Sequence, residues 1–458
     1  MSSGLVIEDT GFGLRAARLE DGELIEVVDL DHDEARVTDR LFAARVVRVE
    51  PKIGAAFLDI GQGHNAFLNV KDARHLPGAD PRMPIERIVA EGQRIVVMGL
   101  REAVDEKGPR VTCDVRLIGL HLVLRPSSQA VEVSGNLGKR QQMLLKERGQ
   151  ALFPKGGVLL RRGSQDQPDE VLLAEQEALR RRWHDCLDRA KLKSGPLDVD
   201  DTVERLLRTI LGNPVDAITV ADPALAARIR AFRDAHFRSG EGPLVELVSG
   251  DAFEVTGVAE LIEAALQREV PLPEGGRLWI ERTRALTAID VDSGGQPSFR
   301  VNLAAAREIA RQLRLRNIGG IIVVDFIDLV SKNERFRVVE TLKKALAADP
   351  VAGHVHDVSP QGLVEIGRPR RGIALAELLL RDCQHCRGEG TAPSLRAGTE
   401  RLVKALRRSA RPPATLRAAR DLARYLTEAA PARALAAAGF AGAVTADDRL
   451  AAGGFELG

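Results

Sequence analysis

Two short apolar runs that each end in an aspartate, joined by an amphipathic helix, constrain this chain more than any other feature. The first run is 285–290 (ALTAID), followed by Val291, Asp292, Ser293 and a Gly294, Gly295 turn. The second is 321–325 (IIVVD), preceded by Gly319 and Gly320. Between them, over roughly 302–315, Ala306, Ile309, Ala310 and Leu313 recur at helical spacing. This pattern predicts a strand–helix–strand unit whose strands are parallel, with their carboxyl ends on one edge. Open α/β sheets place ligands at that edge. Two ionised carboxylates side by side repel, and a shared hard divalent cation relieves the repulsion. Magnesium held this way can stabilise charge on a phosphoryl oxygen. A plainer reading, two aspartates capping turns after buried strands, fits the same residues. Nearby arginines separate the two: Arg282 and Arg284 precede the first strand, Arg307, Arg311 and Arg314 run along one flank of the helix, and Arg316 follows it. Carboxylates ringed by arginines predict a metal-assisted phosphodiester site.

The rest of the chain supplies a multidomain α/β frame. At 458 residues it exceeds one ordinary core. The segment 5–30 reads as a hairpin turning at Asp21 and Gly22, and 41–125 continues as strands. The segment 174–193 is a charged helix, and 200–270 alternates helix and strand. With 66 basic and 65 acidic residues, the net charge of +1 announces no polyanionic partner, so a nucleic-acid site has to come from local clustering. Aromatics are scarce (13 Phe, 2 Trp, 1 Tyr), which makes Phe57 and Phe67 at strand-like positions informative. In a small barrel such residues stack bases, although either fits a core as well. No apolar run reaches the roughly 20 residues of a membrane span, and the N-terminus lacks a signal-peptide pattern. With four cysteines and no disulfide framework, a cytoplasmic protein is expected. Cys383 and Cys386 form a C-x-x-C, which fits a zinc half-site or a redox pair. As a zinc site it needs two more ligands, and a second copy of the chain would supply them by two-fold symmetry. Cys113 and Cys186 are expected to be buried thiols. Seven basic residues and no acid mark 401–420, a solvated helix face or an RNA-phosphate contact.

The segments TAIDVDSG (287–294) and EIARQLRLRNIGGIIVVDFIDL (308–329) resemble the catalytic core of the ribonuclease E/G family, and the resemblance extends over nearly the whole chain. It implies a discontinuous RNase H-like domain (1–40 and 200–276) and an inserted S1-type OB barrel that binds RNA (41–125). A degenerate 5′-sensor-like and helical region (126–199) would follow, then a DNase I-like catalytic domain (277–380), a zinc-link (381–392) and a small C-terminal α/β domain (393–458). By the same resemblance Asp290 and Asp325 bind catalytic Mg2+, and Asp292 stands at a catalytic position where asparagine is usual. Asp328 is expected to be a structural cap. Phe57, Phe67 and Lys107 fall on RNA-contacting positions. Arg161 falls on the arginine of a 5′-monophosphate pocket, with Arg162 where threonine is usual, and Arg368 is placed to offset phosphate charge. Cys383 and Cys386, with Gln384 in place of proline, would share one structural Zn2+ between protomers in a homodimer or dimer of dimers. The implied activity is Mg2+-dependent endonucleolytic cleavage of single-stranded RNA in rRNA maturation or mRNA decay, leaving 5′-phosphate ends. A non-catalytic RNA-binding descendant of the family is the alternative.

Overall fold

The computed structural model describes residues 3–31, 37–103, 108–134, 137–197, 201–238, 241–351, 353–356, 358–370, 372–381, 383, 386, 390–391, 393–409, 413–450 and 453–457. The chain divides into two compact units, 1–378 and 379–458. No described helix is long and apolar enough to cross a membrane.

The larger unit is mixed α/β and, among the described residues, contains four sheets. The hairpin expected near the N-terminus is present: Gly13–Glu20 pairs with Glu23–Asp31. Its turn residues Asp21 and Gly22 both have positive φ, 50° and 84°, as a tight two-residue hairpin requires. Ser3–Asp9 pairs antiparallel with Gly13–Glu20 on one side and parallel with the distant strand Ala217–Val220 on the other. One sheet is therefore built from both ends of a long excursion of the chain. The helices Thr202–Ile210 and Pro223–His236 bury Leu206, Leu207, Ile229 and Phe232 against Leu5, Ile7 and Ile218.

The excursion contains a five-stranded closed barrel, consistent with an S1/OB-like domain. Its strands Leu41–Glu50, Ala55–Asp59, Asn65–Asn69, Arg110–Thr112 and Arg94–Arg101 pair in that order, and the last closes on the first. Val46, Ala56, Leu58, Leu68, Val97 and Val111 fill the interior. Cys113 packs into this core, where burial pushes its thiol far above its ordinary range. Next comes a four-stranded sheet of short strands covered by the helices Lys139–Leu152 and Asp169–Ala190, the second of which buries Cys186.

The fourth sheet runs Glu269–Pro271, Arg277–Arg282, Thr287–Asp292, Gly320–Asp325, Leu363–Arg368 and His354–Val355. The predicted strand–helix–strand unit is its centre, and Thr287–Asp292 and Gly320–Asp325 are parallel neighbours. Alternation decides which face is covered. Leu278, Ile280, Ile289, Val291, Ile322, Val324, Val364 and Ile366 point into a core made with the helices Ser298–Leu315 and Lys332–Leu346. Trp279, Glu281, Asp290, Asp325 and Glu365 lie between them in sequence and are exposed. The first helix begins at Ser298, one turn earlier than its apolar spacing alone predicts.

In the smaller unit, Thr415–Ala418 pairs with Ala443–Ala446 and Phe455–Leu457. Leu402, Leu406, Leu422, Leu435 and Phe440 form the core with Leu416. Several of the basic residues read from the sequence as a cluster are engaged within this unit: Arg417 with Asp447 and Glu456, Arg420 with Asp448, and Arg401 with the Gly453 carbonyl.

Candidate active site

The register places Asp290 directly beside Asp325 on the exposed face of the sheet. This is the arrangement the two Asp-ended runs predict. It follows from ordinary strand geometry, because Ile289, Val291, Ile322 and Val324 bury on the helical face and turn the two carboxylates to the other. Asp292 is two residues beyond Asp290 and so shares that face. Its carboxylate accepts from the Gly294 amide (3.1 Å) and lies 3.4 Å from Nε of Arg277, its cross-strand partner. The turn after Asp292 packs on the preceding hairpin so closely that a Cβ on Gly276 would fall 2.4 Å from the Asp292 carbonyl oxygen, so glycine is required there. Gly276 also has φ +82°.

The chain following Asp325 is held by a residue that the sequence reading passed over. Asn302 is fully buried on the helix face that carries Ala306, Ile309 and Leu313. Its amide donates to the Ile327 carbonyl (2.7 Å) and accepts from the Ile327 amide (3.1 Å). A lone asparagine in line with an apolar stripe is a readable signal, because a buried amide must find partners. Asp328 is exposed beyond this anchor.

A second surface lies on the barrel. Phe57 and Phe67 are opposite each other on neighbouring strands, edge to face, with ring centroids 5.9 Å apart. Both are half-buried and alternate with the buried Ala56, Leu58, Ala66 and Leu68, so they are on the outer face and outside the barrel core. The same row continues to Arg48 beside Phe57 and to Arg110 beside Phe67. Two aromatic faces match the stacking that unpaired bases need, while the flanking guanidinium groups are paired with Glu50 and Asp72.

A model of the ribonuclease E/G family matches residues 116–371 of the chain. The chain belongs to this family. Ribonuclease G of Haemophilus influenzae is 32% identical over 402 residues, covering 82% of this chain and 81% of that protein. Ribonuclease G of Escherichia coli is 28% identical over 462 residues, 96% of this chain and 93% of the relative. Ribonuclease E of Synechocystis is 32% identical over 368 residues, but that match spans 55% of its length.

Three expectations drawn from the family and from the basic residues need correction. Arg368 does not face the carboxylates. In the antiparallel pairing Asp325 is opposite Leu363, whereas Arg368 is opposite Gly320 at the far end of the strand. It is buried there in an ion pair with Asp349 (2.8 Å) and donates to the Ile318 carbonyl (2.9 Å). Arg161 is also committed inward. Its guanidinium donates to the carbonyl oxygens of Gly119 (2.8 Å), Thr209 (2.5 Å) and Arg208, which ties the strand Val158–Leu160 to the end of the helix Thr202–Ile210. Gly212 has no room for a Cβ beside this guanidinium. Burial lowers Arg161 to about 10, and it remains charged at neutral pH. The arginines of the helix Ser298–Leu315 do not ring the site either. Arg311 reaches Glu308 and the Leu24 carbonyl, and Arg314 reaches Glu26 of the N-terminal sheet. Arg316 donates to Gln312 and the Gln267 carbonyl. Arg282 pairs with Glu377 at the opposite end of its strand from Trp279 and Asp290. Arg277 is brought by the register next to Asp292, and it also pairs with Glu269 (2.8 Å).

His121, at the Arg161 junction, is buried, and its imidazole is pushed down to about 4, first by burial and then by the Arg161 charge. The unfolded chain, with a histidine near about 6.5, therefore takes up a proton before the fold does. Stability present above about pH 6.5 is expected to fall as pH drops towards 4, by at most about 3 kcal/mol. Urea midpoints of wild type and His121→Gln at pH 7.5 and 5 check this, and the variant should lose less stability between the two.

Lys107 and Gln384 lie outside the described residues. Cys383 is exposed and Cys386 half-buried. Among the described residues no group of three or more metal-ligating side chains comes together. The C-x-x-C places two cysteine side chains close in sequence, two of the four ligands that a tetrahedral zinc site takes.

Proposed function

We propose that this chain is a Mg2+-dependent endoribonuclease that cuts single-stranded RNA in the cytoplasm, leaving 5′-phosphate and 3′-hydroxyl ends, in rRNA maturation or mRNA decay. The observation that carries this reading is the in-register pair Asp290 and Asp325, exposed on a sheet whose other face is packed. Neither makes an ion pair among the described residues, so two adjacent anions stand without a countercharge, and a hard cation with oxygen ligands fits them. Magnesium keeps several waters and takes one or two carboxylates, which matches this donor set better than a site needing a full protein cage. When bound, the ion would neutralise charge on the scissile phosphate.

The chain's own groups divide the remaining work. Asp290 and Asp325 hold the ion and set its position relative to the sheet. Asp292, fixed by the Gly294 amide and paired with Arg277, either joins the pair as a ligand of the ion or adds to the local negative charge, and Arg277 offsets part of that charge. Asn302 keeps the strand end carrying Asp325 from fraying. The Phe57 and Phe67 face binds the strand away from the cut. Cys383 and Cys386 would hold a structural Zn2+ together with the same pair from a second protomer.

Incubation of the full chain with a labelled, short A/U-rich oligoribonucleotide tests the reading. Internal cuts with 5′-phosphate ends in Mg2+ and none in EDTA are expected. Tight binding without cutting in any divalent metal would make the chain an RNA-binding protein. On the barrel, Phe57→Ala should weaken single-strand binding by roughly 1–3 kcal/mol, the worth of one stacked base. Its melting temperature should change little, because the ring lies outside the core. A large loss of stability would instead make Phe57 a packing residue.

A further inference from the structure

The exposed face of the catalytic sheet carries a tryptophan directly beside the carboxylate pair. Trp279 is 38% exposed, between Leu278 and Ile280, which are buried in the core. Its cross-strand partners on the same face are Glu269 on one side and Asp290 on the other. Along its own strand the same face carries Arg277 and Glu281, and Asp292 is a diagonal neighbour. An indole flanked by charged groups keeps part of its ring open to solvent, as a tryptophan inside a core does not. In a chain with only two tryptophans, the other, Trp183, packs against a hydrophobic cluster as expected.

The register makes the location of Trp279 specific. The row reads Glu269, Trp279, Asp290, Asp325 across four adjacent strands. Cross-strand partners have Cβ atoms about 5 Å apart, so the indole begins within one strand spacing of the carboxylate pair. A phosphodiester seated over Asp290 and Asp325 has a nucleoside on each side, and an unpaired base adjoining the phosphate would fall over the strand that carries Trp279. Every base offers a π-face, so an exposed indole can hold one without hydrogen-bond readout. The surrounding carboxylates disfavour a second phosphate at this spot, leaving the neutral base as the group that fits.

We infer that Trp279 is a nucleobase subsite of the cutting centre, stacking on the base next to the scissile phosphate and fixing which bond lies over Asp290 and Asp325. The inference rests on the reading of that pair as the site of cleavage. Trp279 is a positioning residue that acts through the substrate. Its effect should depend on which nucleotide is present at one position and be absent elsewhere.

Two measurements on the full chain test it. The first is cleavage of a set of oligoribonucleotides in which one nucleotide at a time around the cut is abasic. Wild type should lose about five- to a hundredfold in kcat/KM at one position adjoining the cut, the range one base stack is worth. Trp279→Ala should lose a similar amount on the intact oligonucleotide and little more on that abasic one, whereas Trp279→Phe should retain most of the wild-type rate. Abasic effects of equal size in wild type and Trp279→Ala at every position would overturn the assignment, even if the variant were slow. The second uses Trp183→Phe, in which Trp279 is the sole tryptophan and is excited selectively over the single tyrosine. Its emission should be quenched on addition of the intact oligonucleotide in EDTA, and an unchanged emission at saturating RNA would overturn the stack. If the wild type does not cut, the cleavage reading falls, and the fluorescence result alone upholds or removes the base subsite.

Discussion

Asp325→Asn should lower the cleavage rate by about a thousandfold or more, the loss of several kcal/mol of charge stabilisation at the phosphate. The substitution preserves shape and removes one of two adjacent anions, so the remaining Asp290 can no longer hold a hard cation against its hydration shell. Asp290→Asn should behave alike, and the double variant should be little worse than either single one, because the pair acts as a unit. RNA affinity in EDTA should stay within about threefold, since phosphate and stacking contacts elsewhere supply most of it. The fold should also be indifferent, because both side chains are exposed and make no ion pair among the described residues. Single-turnover cleavage, filter binding and thermal melting of the same preparations check each point. An Asp325→Asn protein that cuts at the wild-type rate would remove the pair from the chemistry.

The second large effect concerns assembly. Replacing Cys383 and Cys386 together with serine should release bound zinc and convert the protein towards monomer. Two thiolates cannot saturate a tetrahedral ion, and in the proposed dimer a second chain would supply the missing two, so about half a zinc per chain is expected in the wild type. A structural zinc joining two chains contributes association energy outright, so chelation should mimic the double variant and added zinc should reverse chelation only when the cysteines are present. Activity on long RNA should fall with dimer loss, while cutting of a short oligonucleotide, which needs one cutting centre, should fall less. Metal analysis together with sedimentation decides the matter. One full zinc per chain, or a double variant that remains dimeric, would overturn the shared site.

The parts of the molecule readable from sequence are those governed by local periodicity. The strand–helix–strand unit and the hairpin at Asp21 and Gly22 follow from a period of two or 3.6 together with a turn, whereas Phe57 and Phe67 fit core and surface alike until the strand register is known. Asp290 and Asp325 could be placed side by side because parallel strands of matched length leave few registers. The arginines could not be placed this way. A guanidinium sits at the end of a long flexible stem, and its partner is decided by which backbone carbonyls lack hydrogen bonds once the domains pack. Arg161 found the carbonyls closing a helix, Arg368 found Asp349, and Arg311 and Arg314 found the N-terminal hairpin. None of those partners is near in sequence. Arg277 was overlooked for the converse reason, since its role depends on a cross-strand pairing with Asp292. Trp279 was legible as a rare residue type in a strand, but its exposure required knowing which face of the sheet the helices cover.

The N-terminal sheet has a consequence for the order in which the molecule can be made. Ser3–Asp9 needs Ala217–Val220 as its parallel neighbour, and that strand in turn pairs with Leu244–Leu247. The barrel strands, by contrast, lie within one contiguous stretch from Leu41 to Thr112. On the ribosome the barrel can close as soon as its own residues emerge, whereas the first hairpin must wait, with one edge unpaired, until residues 217–247 have been synthesised. The entropy of closing so long a loop grows only slowly with its length, and a prefolded barrel shortens the effective loop further. The hazard during that delay is kinetic, because an unsatisfied strand edge on a nascent chain can recruit a neighbouring copy.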